Sequence, residues 1–294
     1  MSLVINHNLM AMSAARNLTS AYNNLSTSVN RLSSGLRITT AADDAAGLAI
    51  RELMRADIAT LNQGVRNAND AISMIQTADG ALQVIDEKLI RMKELAEQAA
   101  TGTYTSDQRL IIDSEYQAMA SEITRIANAT DFNGIYLLNG NLSSDTHSGA
   151  GLTSTGKLKV HFGTANDSAE DYYYIRIGSS TASALGVGIS AGSGAGASIS
   201  TQQLAQQALA ALNTAITSKD KIRANLGALQ NRLENTITNL TVQAENLQAA
   251  ESRISDVDVA TEMTNFVRNQ ILTQSAVAML SQANTLPQMA LQLM

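Results

Sequence analysis

Apolar positions recur along this chain at alternating steps of three and four residues, the repeat that lays one narrow stripe along an α-helix. Leu18, Tyr22, Leu25, Val29, Leu32 and Leu36 advance by 4, 3, 4, 3 and 4. Met54, Ile58, Leu61, Val65, Ala68, Ile72 and Ile75 continue the pattern, which resumes at Leu82, Ile85, Leu89, Met92 and Ala96. Ile112, Tyr116, Met119, Ile123 and Ile126 form a third stripe. Towards the C-terminus Ile222, Leu226, Leu229, Leu233, Ile237, Leu240, Ala244 and Leu247 form another, with two steps of four in succession at Leu233 to Ile237. That doubled step is a stutter, which locally relaxes a supercoil. A last seam runs through Leu272, Ala276, Met279, Ala283, Leu286, Ala290 and Leu293. Stripes this narrow belong to helices that need partner helices.

The middle of the chain follows another rhythm. Residues 140–200 hold 11 of the 18 glycines and no heptad pattern. Within them Lys157–Phe162 alternates strictly, with Leu158, Val160 and Phe162 on one face and Lys157, Lys159 and His161 on the other. Tyr172–Ile177 alternates likewise, with Tyr173, Ile175 and Ile177 sharing a face. Period-two runs joined by the polar segment Gly163–Asp171 predict a β-hairpin with a long loop. Gly186–Gly196 reads as a flexible connector. The predicted fold is therefore mainly α: long antiparallel helices in coiled-coil packing, a small β-hairpin region, and N- and C-terminal helices lying side by side.

Composition sharpens this picture. One proline in 294 residues leaves helices uninterrupted, and 3% aromatic residues with no Trp leave few large rings for a conventional core. A net charge of −6 without a basic cluster argues against nucleic acid as a partner. No cysteine is present, which excludes disulfides and thiolate chemistry. The start of the chain lacks the features of a secretory signal, and no apolar run is long enough for membrane insertion. The two ends stand apart from the body. Residues 1–42 carry no Asp or Glu, and nothing beyond Arg268 carries a side-chain charge. Amphipathic helices without charge are suited to a protein partner, and the expectation is that they order only on association. Stripes of this spacing also arise in an ordinary bundle core; the acid-free start and charge-free end together favour self-association.

No catalytic, cofactor or metal constellation is present in the sequence. His7, His147 and His161 stand apart, and His161 fits the outward face of a strand. Asp43 and Asp44 follow Thr39 and Thr40 at the point where a helix start accepts caps and negative charge.

Several blocks carry a resemblance. Met1–Leu9, Ser33–Ile38, Asp43–Ile50, Thr130–Gly134, Ser255–Met263, Asn269–Gln274 and Ala283–Gln288 resemble the terminal signatures of bacterial flagellins, across about 1–140 and 200–294. The resemblance implies a structural subunit, not an enzyme, that polymerises with copies of itself into the flagellar filament for motility. It implies export without a cleaved signal through the flagellar type III apparatus, an export chaperone, a filament cap, hook-associated junction proteins as neighbours, and an extracellular location. Residues 1–43 and 255–294 would form an inner-tube domain and 44–254 a helical rod domain with a hairpin. The insert near 140–200 is too short for large outer domains. The expected polymerisation seam comprises Leu18, Tyr22, Leu25, Val29, Leu32 and Leu36 with Leu272, Ala276, Met279, Ala283 and Leu286. The rod-helix patch that an animal Toll-like receptor senses in many flagellins maps to Arg91, Leu95 and Glu115, with Ile90 and Lys93 departing from the family pattern. The alternative reading is a hook–filament junction protein, which shares the terminal helices.

Overall fold

The computed structural model describes residues 8–144, 156–167, 170–189, 192 and 194–292, with side chains as far as 285. Among the described residues six helices and two strand pairs follow one another: α1 Leu9–Ser34, α2 Ala45–Ala100, α3 Ser106–Ala129, β1 Asp131–Phe132, β2 Ile135–Tyr136, β3 Leu158–His161, β4 Tyr172–Ile175, α4 Ala182–Leu185, α5 Gln202–Ser255 and α6 Val259–Gln292. They pack as two compact units, one of residues up to 58 with those from 245, the other of residues 59–244.

Local chemistry sets the helix boundaries. The Asn8 side chain accepts from Ala11 N at 3.0 Å to start α1, and Gly35 ends it in the left-handed conformation (φ 73°). Asp44 Oδ1 accepts from Gly47 N at 2.9 Å at the start of α2, the capping role expected of it. α3 opens with a capping box in which Thr105 and Gln108 satisfy each other's backbone donors. Between α3 and the rest of the second unit, Asn133 (φ 51°) and Gly134 (φ 80°) take the two left-handed positions of a tight turn, so β1 and β2 pair antiparallel. This hairpin is absent from the expectations above, although its Asn-Gly pair is the strongest short-range hairpin signal.

In the second unit the predicted stripe of α2 is the core. Leu61, Ala68, Ile75, Leu82, Ile85, Leu89, Met92 and Ala96 are all at most 2% exposed. Tyr116 and Ile123 of α3 and Ala205, Ala208 and Leu212 of α5 are buried with them. The hairpin β3–β4 forms in the register Leu158 with Ile175 and Val160 with Tyr173. Its inner face buries Val160, Phe162, Ile175 and Ile177, as the alternation requires, while His161 is half-buried on the other face. Gly64 on α2 lets the hairpin approach: a Cβ there would lie 2.0 Å from the Phe162 carbonyl oxygen.

One expectation is corrected. The described part of Gly186–Gly196 is not a loose connector, because polar groups of α3 hold it and the residues after it. Tyr116 Oη donates to Gly196 O at 2.8 Å, Gln117 Nε2 donates to Ala197 O at 2.7 Å, and Ile199 N donates to Asp113 Oδ1 at 2.7 Å. Gly188 (φ +75°) permits the approach, since a Cβ would stand 2.4 Å from that of Ala120. Burial pushes the Tyr116 hydroxyl well above its ordinary pKa, so it stays a donor.

Candidate assembly surface

In the first unit α1 and α6 run antiparallel, tied at both ends of the pair. At one end Asn8 Nδ2 donates to Ala283 O at 2.7 Å. At the other, Leu36 and Asp256 form a β-bridge, Arg37 N donates to Ser255 O at 2.7 Å, and Val257 N donates to Gly35 O at 3.0 Å. The α6 start is capped by Asp258, which accepts from Ala260 N at 3.0 Å and from the Thr261 hydroxyl at 2.8 Å. Those bonds hold its carboxyl below the usual range.

The seam between these helices interleaves small residues with leucines. On α1, Ala21 and Ser28 are buried and Ala14, Leu18, Leu25 and Leu32 half-buried. On α6, Ala283 is buried and Asn269, Thr273, Ala276 and Leu280 are half-buried. The expected seam residues are thus divided. Leu18, Leu25, Leu32, Leu36, Ala276 and Ala283 turn at least partly inward. Tyr22 (63%), Val29 (46%), Leu272 (50%) and Met279 (64%) stay exposed. The Leu286 side chain lies outside the described residues. Each helix therefore turns two heptad rows toward its intrachain partner and leaves a third, of large apolar groups, outside. Further apolar side chains join them on α1 (Leu9, Met10, Met12) and α6 (Met263, Val267, Ile271, Val277), each 45% exposed or more. One flank is a groove of about 740 Å³ between the two helices, walled by Met10, Leu272 and Met279 over a floor that includes Ala14, Ala21 and Ala276.

Missed in the sequence were Ala14, Ala21, Ser28, Thr273 and Leu280, which do the intrachain packing. Their signal is present: Ala21 and Ser28 sit one residue before Tyr22 and Val29, Thr273 and Leu280 one after Leu272 and Met279, and Ala14 stands one heptad before Ala21. A heptad has two seam rows, and size alone does not say which row meets which neighbour.

A charged cluster closes the Leu36 end of the pair. Arg31 lies 3.6 Å from Asp43 and 3.9 Å from Glu262, and its buried Nε has no hydrogen-bond partner among the described residues. Asp43 Oδ2 accepts from the amides and hydroxyls of both Thr39 and Thr40, at 2.9 to 3.2 Å. These donors lower its pKa to about 2.

The second candidate patch is in the other unit. Arg91 donates through two nitrogens to Glu115 Oε1 (3.0 and 2.9 Å) and through a third to Glu94 Oε2 (2.9 Å), all at the surface. Leu95 does not share that surface. Its side chain is 1% exposed and belongs to the core, because it follows the inward row of Leu82, Leu89 and Met92. Among the described residues no group of three His, Asp or Glu is placed to hold a metal ion, and no helix is long and apolar enough to cross a membrane.

Comparison with known proteins finds matches along nearly the whole chain. Residues 5–143 match the bacterial flagellin N-terminal helical region and residues 199–294 the bacterial flagellin C-terminal helical region. The flagellar filament 33 kDa core protein of Treponema phagedenis is 43% identical over 292 residues, covering 99% of this chain and 100% of that protein. Flagellin FlaB2 of Treponema pallidum is 42% identical with the same coverage. Among solved structures, Bacillus cereus flagellin is 29% identical and covers 63% of this chain and 94% of its own, with a TM-score of 0.46.

Proposed function

The chain belongs to the bacterial flagellin family, and from that premise we propose that it is a self-polymerising subunit of the flagellar filament whose paired ends α1 and α6 supply the assembly surface. The observation that carries this reading is the row of large apolar side chains left outside the α1–α6 seam. Tyr22, Val29, Leu272 and Met279 are each about half exposed or more. At about 25 cal/mol per Å² of apolar area, burying such rows against neighbouring copies offsets the ordering of a thin two-helix pair. Residues 1–43 and 255–294 then form the inner tube, 44–254 the rod, and the ends gain their full order in the polymer. This is the role of a structural family, not an enzyme.

An export chaperone on the ends until the cap receives the subunit, which family membership implies, fits a surface that must stay covered until assembly outside the cell. Hook-associated junction proteins would meet its exposed rows at the filament base. Recognition by an animal Toll-like receptor would rest on Arg91 and Glu115 alone, since Leu95 faces the core.

Seeded polymerisation of the full-length chain, viewed by negative-stain microscopy beside a chain lacking 1–43 and 255–294, tests the assignment. Long filaments from the full-length chain alone are expected. Short capped rods would move the assignment to the hook–filament junction protein, and filaments from the truncated chain would remove the ends from the mechanism.

A further inference from the structure

Lys219 is among the most buried side chains of the second unit, 1% exposed, although it is a lysine. Its position explains why. Ala205, Ala208, Leu212, Ala215, Lys219, Ile222 and Leu226 advance by 3, 4, 3, 4, 3 and 4, so Lys219 occupies a core position of the α5 stripe. Every other member of that run is apolar. Lys219 Nζ reaches Asp86 on α2 at 2.6 Å and its neighbour Asp220 at 2.8 Å. One turn further along α5, Arg223 donates to both carboxylate oxygens of Asp79, at 2.7 and 3.1 Å.

We propose that these two rungs are a register lock, with Lys219–Asp86 and Arg223–Asp79 selecting one antiparallel alignment of α2 against α5 from those the apolar stripes permit. Heptad stripes rich in Ala and Leu are degenerate: a slip of seven residues, about 10 Å along the axis, again sets apolar against apolar. The charges remove that degeneracy. With residue 219 against 86 and 223 against 79, a slip one way sets Lys219 against Lys93, cation against cation. A slip the other way still gives Lys219 a carboxylate, Asp79, because Asp79 and Asp86 are one heptad apart. That slip strands Arg223 opposite Ile72 and leaves Asp86 unmatched, so only the observed alignment satisfies both rungs. A single buried lysine in a helical seam is a known way to specify alignment at some loss of stability, because a buried ammonium without its carboxylate is strongly disfavoured. The lock concerns one unit of one chain and does not depend on polymerisation.

The absence of native cysteine allows a direct test in the full chain. Nitroxide labels on Gln83→Cys and Ala224→Cys, both exposed, report the α2–α5 alignment by pulsed electron spin resonance. With the rungs intact one narrow distance is expected. In a Lys219→Met/Asp86→Leu/Arg223→Gln background, which removes both rungs and is folded by circular dichroism, a second component displaced by up to about 10 Å is expected. A single unchanged distance in that background would overturn the proposal, since apolar packing alone would then set the register. Should that variant fail to fold, Arg223→Gln alone carries the test, because that side chain is 34% exposed, its loss leaves the core intact, and the slip that sets Lys219 against Asp79 is then no longer opposed by a stranded Arg223. A slipped component there supports the lock, and its absence overturns it.

Discussion

Asp43 organises the turn between the first two helices through one carboxylate oxygen that gathers four donors from Thr39 and Thr40. Its pKa falls to about 2 in the folded chain. Since this lies below the unfolded value, the contribution is fully present above about pH 4 and is lost as pH falls through the folded value. Melting temperature measured from pH 5 to pH 2 should therefore decline in the native chain, and the part due to this turn should be missing in Asp43→Asn. Tyr116 offers a second residue-scale prediction. Tyr116→Phe removes the donor to Gly196 O and should cost about 1 kcal/mol in denaturant unfolding, with faster amide exchange confined to residues near 188–199. The two sites differ in how well the sequence announced them. Capping by Asp44 was legible because a cap needs only neighbours in the chain. The Tyr116 bond joins residues 80 apart, and nothing local marks it.

Helices and strands were the most legible level, because their periods write themselves into the order of residues. The α2 stripe and both faces of the β3–β4 hairpin came out as the alternation of side chains requires. The glycine-rich run after β4 did not, since composition describes what an isolated chain prefers and here α3 supplies partners for its backbone. Glycines inside helices show the same dependence on surroundings. At Gly80 and Gly227 an added Cβ would meet nothing within 4 Å, so Gly80→Ala and Gly227→Ala should each stabilise by about 0.5 to 1 kcal/mol. Gly64→Ala should do the reverse despite the same gain in helix propensity, because the added Cβ meets the Phe162 backbone at 2.0 Å. Equilibrium urea unfolding of the three variants reads the opposite signs directly.

At the scale of the whole molecule, the surface is decided by which heptad row each terminal helix gives away. Leucines and small residues share the inward rows, and a further row of large side chains (Tyr22, Val29, Leu272 and Met279) is left for which the pair itself has no use. Met279→Glu, on a side chain 64% exposed, should leave the far-ultraviolet dichroism of the single chain unchanged and abolish filament growth in sedimentation assays. Loss of helix content in the unassembled variant would show instead that Met279 serves the chain's own fold. The side-by-side seam of the two ends was legible in the stripes that flank the central segment. Its composition was only half legible, because a sequence carries both rows of a heptad without saying which belongs to the same chain and which to the next.

The Asn8–Ala283 bond spans 275 residues of chain. Nothing nearer in sequence can substitute for α6 as the partner of α1, so the pair cannot close while the C-terminal segment is still unmade or still in transit. The surface offered to other copies is therefore scheduled by completion of the chain: a subunit becomes able to join only once its last helix has arrived, and a fragment broken off early has nothing with which to join.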